Sequence, residues 1–395
     1  FRYILIDEFQ DTNHLQYQLI KCIAGQKNYI SVVGDDDQSI YSWRGARVDH
    51  ILSFANDYPD VTTIRLEQNY RSTGHILAAA NTVIANNSNR LGKTLWTNAD
   101  PGEKITVFNG LNEQEEARYC VDHIMSNHRT GAEYQQHAIL YRSNAQSRVL
   151  EEHLTRAGIS YRIYGGLRFF ERAEIKDSLA YLRLIINPHD DQAFERIVNV
   201  PARAIGQASV DKLRLLAREH NVSLWQAITM GAQDPQRLAP RTRKSLETFA
   251  EMVQDLSEKC QHLKASELAE LCMQTSGLIQ LQEKQHPENA KTKLENMQEL
   301  ISAISQYEQN HSELNTAMTI AQFISDTTLD THRDEGEQQD SVQLMTLHSA
   351  KGLEFHTVFL TGMEEGLFPH KLSQSDEREL EEERRLCYVG LTRAK

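Results

Sequence analysis

Short apolar runs that end in acidic residues alternate with amphipathic stretches along the first part of the chain. The runs YILID (3–7) and ISVVGD (30–35) are continuous, which is typical of strands buried on both faces of a parallel sheet. Between them, LQYQLIKCIAG has apolar residues at helical spacing and ends in glycine. The pattern predicts a strand, a helix and a strand, and hence an α/β fold.

The same alternation continues beyond this unit. Further strands are predicted at 62–66, 104–110, 137–143 and 161–166, with helices in GHILAAANTVIANN and SRVLEEHLTRAG.

The periodicity then changes. From about Phe169 to Leu329 the apolar spacing is helical almost throughout, and an acidic stretch at 330–340 is predicted to be a linker. Strands resume at 342–348 and 357–363. The order indicates an α/β domain of parallel sheets and flanking helices that is interrupted by a mostly α-helical insertion, and that follows the tail of another α/β domain.

Composition narrows the class of protein. The chain has 395 residues, 40% hydrophobic and 25% charged, which suits two or three globular domains. Its five cysteines form no CxxC pair, so we expect reduced thiols and a cytoplasmic protein. No apolar run approaches the roughly 18–20 residues of a membrane span. The chain opens without methionine inside a strand, and we expect it to be an internal segment of a longer protein.

The first candidate chemistry lies at the ends of two predicted strands. Asp7 and Glu8 would sit at the carboxyl edge of a parallel sheet, where one carboxylate can hold Mg²⁺ and the other can orient or deprotonate water. Gln38 follows the second strand and could sense a terminal phosphate from the same edge. The intervening run, Asp35 to Asp37, is interpreted as a turn and helix cap.

Aromatic and basic residues come next along the chain. Tyr41, Trp43 and Arg44 offer stacking faces and a guanidinium in a polar, turn-like context, so we expect Trp43 to be exposed. Aromatic faces of this kind stack on unpaired bases of any sequence. The net charge of −13 argues mildly against nucleic acid, but a groove needs only local basicity.

Two arginines and one partial motif complete the inventory. Arg71 and Arg393 are candidates for stabilising phosphate charge if their domain faces the first across a cleft. Leu91-Gly92-Lys93-Thr94 contains the GKT of a phosphate-binding loop, but Asn87 stands where its first glycine belongs. We therefore reject this stretch as a phosphate-binding loop.

A set of blocks taken together resembles the superfamily 1 DNA helicases of the UvrD, Rep and PcrA group, in order and spacing along the whole chain. The blocks are LIDEFQDTN, VVGDDDQSIYSWRGA, LEQNYRST, ILYRSNAQSRVLEE, YRIYGGLRFFERAEIKD, LMTLHSAKGLEF, GMEEGLFPH and EEERRLCYVGLTRAK. The resemblance implies RecA-like P-loop NTPase motor lobes that use ATP and Mg²⁺ and move 3′ to 5′ on single-stranded DNA. It implies that 1–67 is the carboxyl-terminal part of the first lobe, that 68–166 and 340–395 form the second lobe, and that 167–339 is a mobile helical arm.

The resemblance also implies roles for individual residues. For ATP, it implies Asp7 as the Mg²⁺ ligand, Glu8 as general base, Gln10 and Gln38 as phosphate and water sensors, Tyr70 as the adenine stack, Arg71 and Arg393 as arginine fingers, and Glu354 as the ribose contact. For DNA, it implies a single-strand path along Tyr41, Trp43, Arg44, Arg142, Asn144, His348 and Lys351.

The arm departs from the family at one point. Ala204-Ile205-Gly206 stands where the family often carries a Gly-Ile-Gly hairpin that contacts duplex phosphates. Loss of the first glycine removes easy access to positive φ, so this contact is left open. The family's Walker A loop has no counterpart in the chain, and we expect the segment alone to hydrolyse ATP only at background rates.

Partners and alternatives follow from the same resemblance. It implies single-stranded DNA and single-strand/double-strand junctions as substrates, repair proteins that bind through the arm, a nucleoid-associated location, and work as a monomer or dimer in nucleotide excision or mismatch repair. Two alternatives stay open: a catalytically silent DNA- or protein-binding scaffold, and the helicase part of a RecB/AddA-type helicase-nuclease.

Overall fold

The computed structural model describes residues 2–24, 29–58, 60–233, 238–284, 287–331 and 340–395. Most of the predicted linker at 330–340 lies outside the described residues. The strands are β1 (Tyr3–Ile6), β2 (Tyr29–Val32), β3 (His137–Tyr141), β4 (Tyr161–Ile163), β5 (Val342–Thr346) and β6 (Thr357–Leu360). The helices are α1 (His14–Ala24), α2 (Asp49–Asp57), α3 (Gly74–Ile84), α4 (Glu113–Arg129), α5 (Ser147–Arg156), α6 (Ala173–Ile186), α7 (Asp191–Ile197), α8 (Gln207–His220), α9 (Leu224–Gln233), α10 (Pro240–Lys259), α11 (Ala265–Thr275), α12 (Leu278–Glu283), α13 (Pro287–Asn310), α14 (Thr316–Thr331) and α15 (Glu377–Leu391).

The chain divides into two compact units. The first comprises Phe1–Gly166 with Gln338–Lys395, and the second comprises Leu167–Glu337. Within the described residues, all the strands belong to the first unit, and the second contains helices α6 to α14. The predicted change from strand-helix alternation to helices is confirmed. None of the described helices combines the length and apolar character needed to cross a membrane.

The larger sheet of the first unit is parallel and has the strand order β4-β5-β3-β6. Its central strand, β3, is buried at every residue, as a continuous apolar run predicts. Ile139 and Tyr141 face α4 and α5, whereas Ala138 and Leu140 face a cluster that includes α15. Strands β5 and β6 follow the helical unit in the sequence, so segments from both sides of that unit build this sheet.

The smaller sheet pairs β1 with β2 in parallel, with Tyr3 opposite Tyr29. The prediction that both faces are buried is wrong here. Ile6, Ile30 and Val32 pack on a cluster with α1 and α2, while Tyr3 and Tyr29 on the other face are exposed. In the part of the chain that the structure describes, helices cover one face of this sheet, and a continuous apolar run cannot indicate which neighbours are present.

Two predicted strands are absent from the described residues. The segments 62–66 and 104–110 form no ladder, and Ile64, Leu66 and Val107 are exposed. Their apolar composition was the basis of the prediction, but a strand also needs a partner edge, and local composition does not supply that information.

The turn at Ala204 in the helical unit has a positive φ that its residue type disfavours. Ala204 adopts φ 59° although it is not glycine. Its neighbours are fixed, because Asn199 Oδ1 accepts the N–H of Arg203 at 2.7 Å and of Ile205 at 3.2 Å. Ile205 is also buried. Anchors on both sides impose the left-handed conformation that the sequence alone disfavoured.

We expect Ala204→Gly to stabilise the chain by about 0.5–1 kcal/mol. An L-residue in the left-handed conformation costs about 1–2 kcal/mol of folding free energy, which glycine avoids. Glycine loses more conformational freedom on folding, and this offsets about 0.5–1 kcal/mol of that gain. Chemical denaturation measures the shift. Ala208→Gly, on the exposed first turn of α8, is the matched control and is expected to destabilise; destabilisation by both would contradict the account.

Candidate functional site

Asp7 and Glu8 follow β1 directly and leave the sheet in a left-handed turn. Glu8 has φ 49°, which is uncommon outside glycine and occurs preferentially at functional sites. Its N–H donates to Asp7 Oδ1 at 2.9 Å, and the next N–H, of Phe9, donates to Val33 O at 3.0 Å. The turn is thereby tied to the end of β2, and both carboxylates are exposed at the carboxyl edge of the sheet.

Gln10 is fully buried and joins the ends of the two strands. Its Nε2 donates to Glu8 Oε2 at 2.5 Å, and its Oε1 accepts the N–H of Asp35 at 2.9 Å. A Cβ on Gly34 would lie 2.4 Å from that Oε1, so glycine is required for the approach. Both ends of the Gln10 amide are therefore hydrogen-bonded to other residues of the chain, and its NH₂ group orients Glu8.

Gln38 lies at the end of a 3₁₀ helix, Asp36–Gln38, which begins four residues after the last residue of β2. Asp35 caps this helix by accepting the N–H of Asp37 at 3.0 Å, so the predicted capping role is confirmed. Asp35 Oδ2 also accepts from Gln38 Nε2 at 2.7 Å. The carboxamide of Gln38 is therefore oriented by a carboxylate that can only accept.

Lys351 reaches the same edge from the segment after β5. Its ammonium lies 2.6 Å from Asp11 Oδ2 and 3.2 Å from Glu8 Oε2, and it donates to Gln38 O at 3.0 Å. A buried ammonium among two carboxylates and a carbonyl is well compensated. Lys351, which the family resemblance placed on the DNA path, thus also contacts the residues assigned to ATP.

The donor set at the end of β1 fits Mg²⁺. The carboxylate of Asp7 is exposed and uses one oxygen for the N–H of Glu8, which leaves the other oxygen open. Mg²⁺ in nucleotide sites takes one or two carboxylates and completes its shell with water and phosphate oxygens. Asp7 would hold the ion, whose charge would offset the phosphate oxygens.

Arg71 is partly exposed and is paired with Glu354. Its Nε donates to Glu354 Oε2 at 2.7 Å, and Lys395 Nζ lies 2.8 Å from the other carboxylate oxygen. Hydrogen bonds from Lys395 and then Arg71 lower the pKa of Glu354 to about 2. Tyr70 beside them is 85% exposed, as a stacking surface must be.

Arg393 differs from Arg71 because it is only 2% exposed. Its Nε donates to Val389 O at 2.9 Å and its Nη1 to Leu353 O at 3.1 Å. Burial lowers the pKa of this guanidinium to about 10. In this structure Arg393 holds the end of α15 against the segment after β5.

Tyr41, Trp43 and His348 form an aromatic cluster. The ring of His348 lies 6.3 Å from that of Tyr41 and 6.2 Å from that of Trp43, and Tyr41 Oη donates to His348 O at 3.1 Å. Arg44 covers the Trp43 ring at 4.5 Å. Trp43 is 42% exposed, which confirms the exposure expected from its polar context.

His348 is neutral at physiological pH. Burial, together with the positive charges of Arg142 and Arg44, lowers the pKa of its imidazole to about 3. The ring can therefore stack or form a hydrogen bond, but it carries no positive charge.

Arg142 and Asn144 lie directly after β3. The guanidinium of Arg142 is paired with the buried carboxylate of Glu383, with Nη2 to Oε1 at 2.7 Å and Nε to Oε1 at 3.0 Å. Asn144 opens the short 3₁₀ helix Asn144–Gln146, which Ser143 and Gln146 cap reciprocally. Sequence reasoning did not identify the Glu383 partner, which lies far along the chain on α15.

Sequence reasoning also missed the partners of the acidic run, Asp35 to Asp37. One carboxylate oxygen from each of its three residues lies within 4.8 Å of the other two. Arg90 donates to both oxygens of Asp37 at 2.7 Å, and Lys93 contacts Asp35. Lys93 belongs to the GKT stretch, which sequence analysis rejected as a phosphate-binding loop. That lysine was the one sequence feature that could have indicated a partner for the acidic run.

These contacts define a class of site. Exposed carboxylates at the carboxyl edge of a parallel sheet, an oriented amide and a partly exposed arginine are typical of α/β proteins that hydrolyse nucleotides. The aromatic cluster is attached to that edge through residues 38–43 and Lys351.

The chain belongs to the UvrD/REP helicase family. Residues 64–395 match the UvrD-like helicase C-terminal domain, and residues 1–59 match the UvrD/REP helicase N-terminal domain. It is similar to DNA helicase II of Escherichia coli (strain K12), at 49% identity over 395 residues, which cover all of this chain and 55% of that protein. It is also similar to the ATP-dependent DNA helicase PcrA of Staphylococcus epidermidis, at 46% identity over 396 residues, which cover all of this chain and 54% of PcrA. The chain spans about half the length of the curated relatives it matches.

Proposed function

We propose that this chain is the carboxyl-side part of the motor of an ATP-dependent 3′–5′ DNA helicase that acts in DNA repair. In this proposal the first unit carries parts of two RecA-like lobes, and ATP with Mg²⁺ binds between them. The helical unit is the mobile arm that contacts duplex DNA and repair proteins. The similarity to DNA helicase II and PcrA supports the family's activity for the full-length protein.

The contact of Lys351 supports coupling between ATP and DNA most directly. One ammonium lies 3.2 Å from Glu8 Oε2, donates to Gln38 O at 3.0 Å, and sits 5.3 Å from the ring centre of Tyr41. A movement of Gln38 on phosphate binding therefore reaches the aromatic cluster through a shared side chain. Nucleotide state and grip on the DNA bases would change together.

Arg71 provides the attraction that closes the motor in this proposal. Its partner in the structure, Glu354, lies at the surface, where an ion pair contributes only about 0–1 kcal/mol. The charge of a bound triphosphate is larger and can draw Arg71 away. Hydrolysis and phosphate release remove that attraction, and the lobes reopen as the bases slip past Trp43.

Trp43→Ala tests the DNA side of the proposal. Stacking contributes about 1–3 kcal/mol per base, so affinity of the full-length protein for a single-stranded oligonucleotide should fall about 5- to 150-fold. Nucleotide affinity should stay unchanged, because Trp43 touches none of the residues assigned to ATP. Fluorescence anisotropy with a labelled oligonucleotide measures the affinity for DNA, and titration with a fluorescent ATP analogue measures the affinity for nucleotide.

Trp96→Ala is the matched control, since Trp96 is 47% exposed and lies in the same unit. It should change DNA affinity less than about twofold, the range of most surface substitutions. Equal effects of the two variants, or none from Trp43→Ala, would remove Trp43 from the DNA path.

A further inference from the structure

We infer that Lys93 is a positioning residue for Gln38 and acts through Asp35. The inference rests on the proposed function, with Gln38 as the phosphate and water sensor that the family resemblance implies. The three side chains form a relay, because Lys93 Nζ contacts Asp35 Oδ1, and Asp35 Oδ2 accepts from Gln38 Nε2 at 2.7 Å.

The carboxylate of Asp35 fixes which end of the Gln38 amide faces it. A carboxylate only accepts hydrogen bonds, so the NH₂ group must point towards Asp35. The carbonyl oxygen of Gln38 is then directed away from Asp35, where it is available to accept from a water. Rotation of the amide by half a turn would place two oxygens together, and the contact with Asp35 prevents this.

Lys93 in turn fixes Asp35. The acidic run brings three carboxylates together, and mutual repulsion would displace the most exposed of them without compensation. Lys93 Nζ touches Asp35 and lies 3.6 Å from Asp37 Oδ2, and its side chain is only 15% exposed. One ammonium therefore neutralises charge beside Gln38 and holds the Asp35 carboxylate in place.

The segment that carries Lys93 is registered against the acidic run residue by residue. Arg90 binds Asp37, and the N–H of Leu91 donates to Asp36 Oδ2 at 2.8 Å. Arg90 Nη2 also donates to Lys93 O at 3.1 Å, which fixes the lysine backbone. Each aspartate is thus contacted by this segment, and Lys93 is the residue that contacts Asp35, which accepts from Gln38.

Lys93→Met in the full-length protein tests the inference. A misplaced water-orienting group should lower kcat for DNA-stimulated ATP hydrolysis about ten- to hundredfold, with KM for ATP and oligonucleotide affinity within about twofold of the starting protein. Lys93→Arg, which keeps the charge, should recover kcat to within about threefold. Lys104→Met, at an exposed lysine of the same unit, should change nothing.

A double-mutant cycle separates positioning from a general structural role. If Lys93 acts through Gln38, the Lys93→Met, Gln38→Ala double variant should be no slower than Gln38→Ala alone. Additive losses, a parallel rise in KM, or an unchanged kcat for Lys93→Met would each overturn the inference. Absence of ATP hydrolysis by the unsubstituted protein would instead refute the proposed function, and the inference with it.

Discussion

Replacing Arg71 with alanine in the full-length protein is expected to lower kcat for ATP hydrolysis by about 10³-fold or more, the lower end of the range for arginine fingers. The reason is that Arg71 is the accessible guanidinium of the candidate site. Its side chain is partly exposed and bound mainly to Glu354, so it can be released to a phosphate without disturbing the core.

The same accessibility makes the test of Arg71 clean. Loss of a surface pair costs about 0–1 kcal/mol, so the midpoint of thermal unfolding should hardly move. Arg393 offers no such test, because removing its buried guanidinium takes one hydrogen-bond donor away from each of the carbonyls of Val389 and Leu353. Arg129→Ala, at an exposed position near the end of α4, serves as the control. An Arg71→Ala variant with unchanged kcat would exclude the arginine from the reaction.

Glu8→Gln is expected to lower kcat by about 10²- to 10⁴-fold, the usual contribution of a general base. The substitution keeps the size of the side chain but removes the group that accepts a proton from water. Glu8 is exposed, and its contacts are to Gln10 and Lys351, so ATP binding should persist. Single-turnover hydrolysis and a fluorescent ATP analogue measure the two effects separately.

Glu103→Gln, at an exposed glutamate of the same unit, is the matched control and should hydrolyse ATP at the unsubstituted rate. Loss of ATP affinity in Glu8→Gln would indicate a binding role. Retention of kcat would show that another group removes the proton.

The sequence predicts elements well where local pattern and environment agree. The strand β3 has helices on both faces, so a continuous apolar run describes its surroundings correctly. The runs at 62–66 and 104–110 look similar but have no strand beside them in the described chain. Pairing is a non-local property, and no pattern within a few residues contains it.

The sequence predicts which residue types form the candidate site, but it does not predict the contacts between them. Spacing after a strand indicates that Glu8 and Gln38 reach one sheet edge. It does not indicate that the Gln10 amide forms hydrogen bonds with Glu8 and with the backbone of Asp35, or that Lys93 neutralises Asp35. Those partners come from elsewhere in the chain, and only the fold brings them together.

Ala204 illustrates the same limit for the backbone. Its residue type disfavours a positive φ, yet the hydrogen bonds of Asn199 to both flanking residues impose one. Local preference amounts to about 1–2 kcal/mol, which two anchored neighbours can outweigh.

The rate of ATP hydrolysis by the full-length protein, with and without a single-stranded oligonucleotide, tests the central claim that Gln38 and the aromatic cluster act as one coupled unit. The account predicts strong stimulation by the oligonucleotide. That stimulation should be lost in Glu8→Gln and weakened in Trp43→Ala. Hydrolysis that is indifferent to DNA, in a protein that still binds the oligonucleotide, would contradict the coupling and favour a DNA-binding scaffold instead.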